Sequence, residues 1–450
     1  MKHQIKSNNF NAKKSLNLLN SNKILNSSVT TILNLNSKPN PKSLLNNIPY
    51  SLKDMISTKD IQTTGGSKIL ENYVPTFNAT IYDKLIDGGA ILISKTNCDE
   101  LGMGGTGLTS GYGKVVNPFD KNRIVGGSSS GSAVQVALDI VPFSVGTDTA
   151  DSIRTPASYM GLVGFKPSYG IISRYGVIPY APSLDTVGVL AKTIADIAIV
   201  LQTISGYDEK DGTSQKINNK FYDCLKPKSK IKFTLIKDID QYLNKEVKDI
   251  YLDYVKKISE KYEIIYKTID LRLWESISAI YMIISYTEAC SCHSNFTSIP
   301  FGKYNGGHEF NEIATNARKL LGDKVKEKNV IGAYFLNEEN YEKMYLKAKK
   351  VRTVLKDLWN KLMDDCDCLL IPSHSMFAPL VKDIESNKLS DHKNWLVPDL
   401  LQLANFAGTP SLTLPIYKDK ALNFGVNLNT KHFKDQELLN IGLELEENKI

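Results

Sequence analysis

The sequence contains little cysteine and no long apolar run, and these two absences exclude several classes of protein. Six cysteines in 450 residues are too few for a disulfide scaffold, because such scaffolds occur in short, cysteine-dense secreted chains. No stretch of about 18 apolar residues is present, which excludes a membrane-spanning helix. The pairs Cys290/Cys292 and Cys366/Cys368, together with His293, raise the alternative of a split zinc site. Residues two apart in a helix point to different sides, so reduced thiols are favoured and no metal site is predicted.

Acidic residues are missing from the N-terminal part of the chain, where Asp54 is the first. Acid-poor N-termini are typical of organellar transit peptides, whereas the lack of arginine in the same segment favours a basic tail on a cytoplasmic protein. We therefore expect residues 1–47 to be loosely ordered, in a protein of the cytoplasm or the mitochondrial matrix. The net charge of +7 is small for this length and does not indicate direct nucleic-acid recognition, which needs a clustered basic face.

Alternating helix and strand patterns predict an α/β fold. Thr80–Asp87 is predicted to be a helix that ends at a Gly-Gly pair, and Ser129–Leu138 a helix that begins after a glycine-rich loop. Ile231–Ile236 and Ile264–Tyr266 are predicted strands, separated by a segment with the apolar spacing of a helix. Since the chain shows neither an internal repeat nor a long linker, one large domain over residues 48–450 is expected.

The most unusual segment is the glycine- and serine-rich run of residues 126–133, GGSSSGSA. A phosphate-binding loop would need the Gly-Lys-Ser/Thr ending that is missing here. The nucleophile elbow of an α/β-hydrolase matches residues 127–131, but it would need a preceding strand, and residues 120–123 are too polar to form one. A hydrolase triad would also need a histidine partner, and no histidine of the chain, His374 among them, lies in a convincing context. Both interpretations are disfavoured.

A third interpretation combines three residues that lie in different segments. Ser152 follows Ser128 by 24 residues in a second polar loop, and Lys53 ends an apolar segment upstream. A serine hydroxyl is a weak nucleophile at neutral pH and needs a base. A buried lysine can be that base, because loss of hydration lowers its pKa. A second serine can carry the proton between them, and backbone N–H groups can stabilise the oxyanion.

These residues and their surroundings resemble the amidase signature family, in which the catalytic set is Ser, Ser and Lys. Four further segments are similar to one branch of that family, the A subunits of aspartyl/glutamyl-tRNA amidotransferases: Thr63–Pro75, Lys95–Gly104, Ser173–Gly176 and Ser183–Gly188. The match is nearly continuous over a signature core of residues 48–211, thins through 212–340 and returns weakly at 341–426. The resemblance implies one α/β/α domain with a central mixed sheet covered by helices.

The resemblance also implies a role for each site residue. Ser152 would be the acyl nucleophile, Ser128 the bridging serine with a cis peptide bond, and Lys53 the base. Asp399 matches the position that binds the α-amino group of glutamine. The oxyanion hole would be formed by the N–H groups of the loop that ends at the nucleophile, at Thr149, Ala150 and Asp151.

The activity implied for this branch is hydrolysis of glutamine to glutamate and ammonia. The ammonia passes to a partner, the B subunit, which uses ATP and Mg²⁺ to amidate Glu-tRNA(Gln), with Asp-tRNA(Asn) as a second candidate acceptor. The B subunit binds most of the tRNA, and a small third subunit clamps the two larger ones. No cofactor is expected on the present chain.

Three departures from the family pattern bear on this hypothesis. The family usually has Gly-Gly where this chain has Ala150-Asp151, and positive φ angles there would strain both residues. Phe296 stands where the family has a tyrosine near the pocket, and Lys328 lies where an arginine would pair with the substrate carboxylate. The alternatives are a stand-alone amidase for another small amide and a catalytically weak scaffold subunit, which the Ala150-Asp151 departure supports.

Overall fold

The computed structural model describes residues 3–7, 9–32, 38–419 and 421–448, and an 11-stranded sheet runs through this part of the chain. In chain order its strands are β1 (Ser28–Thr31), β2 (Pro49–Lys53), β3 (Ile91–Thr96), β4 (Phe143–Asp148), β5 (Val163–Lys166), β6 (Thr186–Ala191), β7 (Lys232–Ile236), β8 (Glu263–Lys267), β9 (Cys368–Pro372), β10 (Ser411–Asp419) and β11 (Leu422–Asn429). Across the sheet the order is β1-β3-β2-β4-β6-β5-β10-β11-β9-β7-β8. The sheet is mixed, because β2 is parallel to β3 and β4 whereas β4 and β6 are antiparallel.

Helices cover both faces of the sheet. They are α1 (Ala12–Ser21), α2 (Thr80–Asp87), α3 (Ser130–Ala137), α4 (Arg154–Met160), α5 (Ile194–Ile204), α6 (Lys245–Ser259), α7 (Leu271–His293), α8 (Phe310–Arg318), α9 (Asp323–Leu336), α10 (Glu338–Asn340), α11 (Lys347–Leu362), α12 (Val381–Glu385), α13 (Leu396–Ala407) and α14 (Asp435–Glu447). Successive side chains of a strand point to opposite faces. In β6, Val189 packs in an apolar cluster with residues of α5 and α14, and Leu190 in a second cluster with residues of α3 and α4. The expected single α/β/α domain is therefore confirmed.

Several local predictions agree with the structure to within a few residues. Helix α2 spans the predicted Thr80–Asp87, and α3 begins one residue after the predicted start at Ser129. The strand–helix–strand unit appears as β7, α6 and β8, with β7 and β8 parallel. No helix in the described ranges is both long enough and apolar enough to cross a membrane.

The described part of residues 1–47 contains regular structure. Helix α1 is capped by the Asn11 side chain, which accepts a hydrogen bond from the Lys14 N–H. Strand β1 pairs with β3 in antiparallel fashion at the edge of the sheet. Residues 33–37 lie outside the described residues, and the domain boundary at residue 48 stays a prediction.

The sheet brings distant segments to one edge. Strands β2 and β4 are parallel neighbours, with Leu52 opposite Val145, so their carboxyl ends lie side by side. Lys53 is the last residue of β2, and the loop that leads to Ser152 follows β4 directly. The glycine-rich segment before α3 reaches the same edge, because the Ser129 N–H donates to the Ser152 carbonyl at 3.3 Å. The three candidate catalytic residues thus arrive from three separate segments.

Candidate active site

Lys53 lies fully buried behind the glycine-rich loop. Its Nζ donates to Ser128 Oγ at 2.6 Å and to Thr147 Oγ1 at 2.8 Å. Burial lowers the pKa of Lys53 below its ordinary value, although several acidic neighbours act in the opposite direction. An amine with a lowered pKa that already contacts a hydroxyl is suited to accept its proton.

Ser128 is buried and follows a cis peptide bond to Gly127. The position before it can hold only glycine, because a Cβ on Gly127 would lie 2.1 Å from Asp99 Oδ2. That Asp99 carboxylate is fixed in turn, since it accepts hydrogen bonds from the N–H groups of Thr106, Gly107 and Thr109 at 3.0–3.1 Å. The loop that presents Ser128 is therefore tightly packed.

A buried arginine fastens the loop that carries Ser152, and we call this arrangement the Arg154 clamp. Arg154 donates to both carboxylate oxygens of Asp148, at 2.9 and 3.1 Å, in a pair whose side chains are fully buried. The guanidinium also donates to the Ala150 carbonyl and to Asn405 Oδ1. Asp148 Oδ2 accepts from the Ile153 N–H at 3.0 Å. Both ends of the loop are thus held by one charge pair.

The backbone of this loop is arranged to donate hydrogen bonds. In the described part of the chain, the N–H groups of Ala150, Asp151 and Ser152 donate to no protein acceptor. Neither Ala150 nor Asp151 has a positive φ angle, so the strain considered for two non-glycine residues is not present. Several backbone N–H donors beside a nucleophile can stabilise the oxyanion that forms when it attacks a carbonyl group.

Ser152 opens onto a cavity of about 500 Å³. Segments from across the chain line it: Met103, Gly104, Gly105, Thr106, Ile124, Ala150, Asp151, Ser152, Thr155, Tyr159, Tyr180, Tyr281, Tyr286, Lys328, His374, Trp395, Pro398, Asp399 and Gln402. Its volume suits a small molecule. The nucleophile candidate, the residues of the loop donors and Asp399 therefore line one cavity.

Asp399 lies in the first turn of α13 and lines this cavity. Gln402 Nε2 donates to Asp399 Oδ1 at 2.8 Å. Burial, together with a smaller contribution from the negative charge of Asp151, raises the pKa of Asp399 to about 7. The sequence placed Asp399 near the substrate, and the structure brings it to the cavity, while its role stays a prediction.

The second cationic candidate also reaches the cavity. Lys328, on α9, lines it and donates to the Met103 carbonyl. Burial lowers the pKa of Lys328 to about 8. Phe296, in contrast, is not among the lining residues; it stacks on His293 with ring centroids 5.3 Å apart.

Tyrosines that the sequence analysis missed supply the phenols of the cavity instead. They are Tyr159, Tyr180, Tyr281 and Tyr286, the last two on α7. Phe296 follows the end of α7 and does not line the cavity, whereas Tyr281 and Tyr286 within α7 do. The cluster of apolar and aromatic residues in α7 was the available signal, but nothing local indicates which side faces the site.

The histidine alternative finds no support in the geometry. His374 lines the cavity, but its ring packs between Tyr159 and Trp395, at 5.0 and 5.9 Å between centroids. Burial lowers the pKa of His374 to about 3, so it is a poor base at neutral pH. Within the described residues its Nδ1 has no hydrogen-bond partner.

Comparison with known proteins gives concordant results. A family model for amidases matches residues 17–439. The A subunit of the glutamyl-tRNA(Gln) amidotransferase of Mycoplasma genitalium is 45% identical over 449 residues, covering 97% of this chain and 93% of that protein. Its counterpart from Mycoplasma pneumoniae is 43% identical, covering 91% and 87%. The crystal structure of the same subunit from Thermotoga maritima superimposes with a TM-score of 0.82 at 29% identity, covering 97% of this chain and 91% of that one.

Proposed function

Because the chain belongs to the amidase family, we propose that it is the glutamine-hydrolysing A subunit of a glutamyl-tRNA(Gln) amidotransferase. The observation that carries this proposal is the hydrogen bond of 2.6 Å from the buried Lys53 to Ser128, set behind a cavity that Ser152 lines. A buried lysine bonded to a serine, next to a second serine and grouped N–H donors, is an acyl-transfer site.

The reaction begins with attack on the carboxamide carbon of glutamine. Ser152 Oγ forms the new C–O bond, its proton passes to Ser128, and the Ser128 proton passes to the neutral Nζ of Lys53. The N–H groups of residues 149–152 hold the oxyanion. When the intermediate collapses, the C–N bond breaks, and the nitrogen takes the proton back through Ser128 and leaves as ammonia. A water molecule then attacks the acyl-enzyme by the same relay, which releases glutamate and restores Ser152.

The cavity has polar groups for both ends of a glutamine molecule. Asp399 binds the α-ammonium group, and Lys328 binds the α-carboxylate as a single-point cation in place of an arginine. The phenols of Tyr281 and Tyr286 flank the side chain between them. An apolar and aromatic wall with a few charged groups is the usual composition of a selective small-molecule site.

The ammonia serves a partner, the B subunit, which uses ATP and Mg²⁺ to amidate Glu-tRNA(Gln), while a small third subunit holds the two together. Asp-tRNA(Asn) is the second acceptor we consider. The relatives named above carry the subunit designation, which supports a multi-subunit assembly. We place it in the cytoplasm, because the relatives with the higher identities are bacterial. The backbone-strain argument for the scaffold alternative is removed, since Ala150 and Asp151 are free of positive φ.

The test measures ammonia release from glutamine by the purified chain, alone and co-expressed with its two partner subunits. We expect strong release from the complex and its loss in Ser152→Ala. Ser130→Ala is the matched control, because Ser130 belongs to the same polar region and its buried hydroxyl makes no hydrogen bond within the described residues. Release from other amides by the lone chain, with little from glutamine, would establish a stand-alone amidase. No release from any amide would establish a scaffold.

A further inference from the structure

The mechanism above assigns no role to the side chain of Asp151. It stands directly before the nucleophile, where the family usually has glycine, and it lines the cavity. Its Oδ2 accepts a hydrogen bond from Thr155 Oγ1 at 2.6 Å. Thr155 lines the same cavity, so this carboxylate is held at the cavity wall by α4.

The cavity wall around Asp151 is rich in hydrogen-bond acceptors. The Asp399 carboxylate lines the same cavity, and Gln402 Oε1 accepts no hydrogen bond within the described residues. Among the lining side chains, Lys328 is the cationic one, and its Nζ already donates to a backbone carbonyl. Burying a carboxylate is costly unless a positive charge compensates it. A ligand that brings a positive charge to Asp151 relieves that cost.

We propose that Asp151 is a second anchor for the α-ammonium group of the substrate, which it shares with Asp399. This inference rests on the proposed glutaminase function and adds a specificity residue to it. An ammonium group has three N–H donors, and the two carboxylates with Gln402 Oε1 supply three acceptors. Substrates without the amino group gain nothing from this arrangement, so Asp151 favours α-amino amides over other small amides.

The electrostatics agree with the geometry. Burial raises the pKa of Asp151 to about 6 and that of Asp399 to about 7, and the charge of Asp151 contributes to the second value. Both carboxyl groups are therefore poised to lose their remaining protons when a cation binds. Ammonium binding at this pair compensates the burial of two like charges.

The test compares two substrates in the assembled complex: glutamine and 4-carbamoylbutanoate, which is glutamine without the amino group. The quantity measured is the ratio of the two kcat/KM values. We expect Asp151→Asn to lower this ratio about 10- to 100-fold, the range for a lost charge-assisted hydrogen bond. Asp399→Asn should act in the same direction, and the double variant should lose less than the product of the two single losses, because one ammonium group is shared.

Two further variants make the outcome decisive. Asp87→Asn removes a negative charge from an exposed ion pair and should leave the ratio as in the wild type. Asp151→Gly restores the usual family residue and carries the test if Asp151→Asn does not assemble. An unchanged ratio in both Asp151 variants, with turnover of the two substrates falling equally, would overturn the inference alone. A wild-type complex that releases no ammonia from glutamine would instead overturn the proposed function.

Discussion

Replacing Arg154 by methionine should release the loop that carries Ser152. The Arg154 clamp holds that loop through the bidentate pair with Asp148 and the bond to the Ala150 carbonyl. Methionine has a similar length but no charge, so the variant leaves the Asp148 carboxylate buried without its partner. The loop donors should then shift away from the position of the oxyanion.

The size of the effect follows from the burial of the pair, whose side chains are both 0% exposed. Breaking a buried ion pair by removing one partner costs about 3–5 kcal/mol. Unfolding entropy is about 2.1 cal/mol/K per residue, so for 450 residues this cost corresponds to a fall of about 3–5 °C in Tm. Misplacement of the reacting groups by about 1 Å costs roughly 10²-fold in turnover.

Thermal unfolding tests the expected fall in Tm, and ammonia release from glutamine tests the expected loss of turnover. Lys38→Met is the control, because the Lys38–Asp87 pair is 73% and 65% exposed, and exposed pairs contribute about 0–1 kcal/mol. The double variant Arg154→Met/Asp148→Asn should be more stable than Arg154→Met, since it leaves no unpaired charge. An Arg154→Met protein with the Tm and turnover of the wild type would refute the argument that this clamp positions Ser152.

Three further predictions concern the cavity. Lys53→Ala should reduce turnover about 10²–10⁴-fold, the range for losing a general base, and a mild effect on single-turnover rates would remove Lys53 from that role. His374→Gln should leave the pH dependence of kcat/KM in place, because with a pKa of about 3 the imidazole stays neutral at neutral pH; a displaced profile would contradict this. The KM for glutamine should be lowest between about pH 7 and pH 8. Below that window Asp399 and then Asp151, with pKa values of about 7 and 6, gain protons and lose the charge that binds ammonium. Above it Lys328, with a pKa of about 8, loses its proton and its attraction for the carboxylate. A KM that is flat from pH 5 to pH 9 would contradict both assignments.

Local sequence patterns were informative where the determining interactions are local. Helix α2 ends at Asp87, with Gly88 as its C-cap, because the chain turns at Gly89, whose φ is positive, and the Gly-Gly pair that signals this end is readable in the sequence. The spacing of Ser128 and Ser152 is likewise local to one α/β segment. These features follow from backbone preferences and short-range periodicity.

The walls of the cavity could not be predicted in the same way. Tyr281 and Tyr286 reach the site from a helix more than a hundred residues beyond Ser152. Their side of α7 is set by packing against α9 and α13, which no local pattern encodes. The φ angles at Ala150 and Asp151 could not be predicted either, because they depend on the tertiary contacts of the Arg154 clamp, which holds the Ala150 carbonyl.

The order of strands in the sheet has a consequence for biosynthesis. Strand β5 pairs with β10, which leaves the ribosome roughly 250 residues later, or roughly 10–50 s later at ordinary translation rates. During that interval a nascent chain can bring Lys53, Ser128 and Ser152 together, while β5 remains an open edge that invites aggregation. Asp399 is synthesised in the same late segment. The catalytic residues are therefore made first, and the late segment that carries Asp399 also covers the open edge of β5, so substrate binding through Asp399 and protection of that edge should be acquired in a single late step.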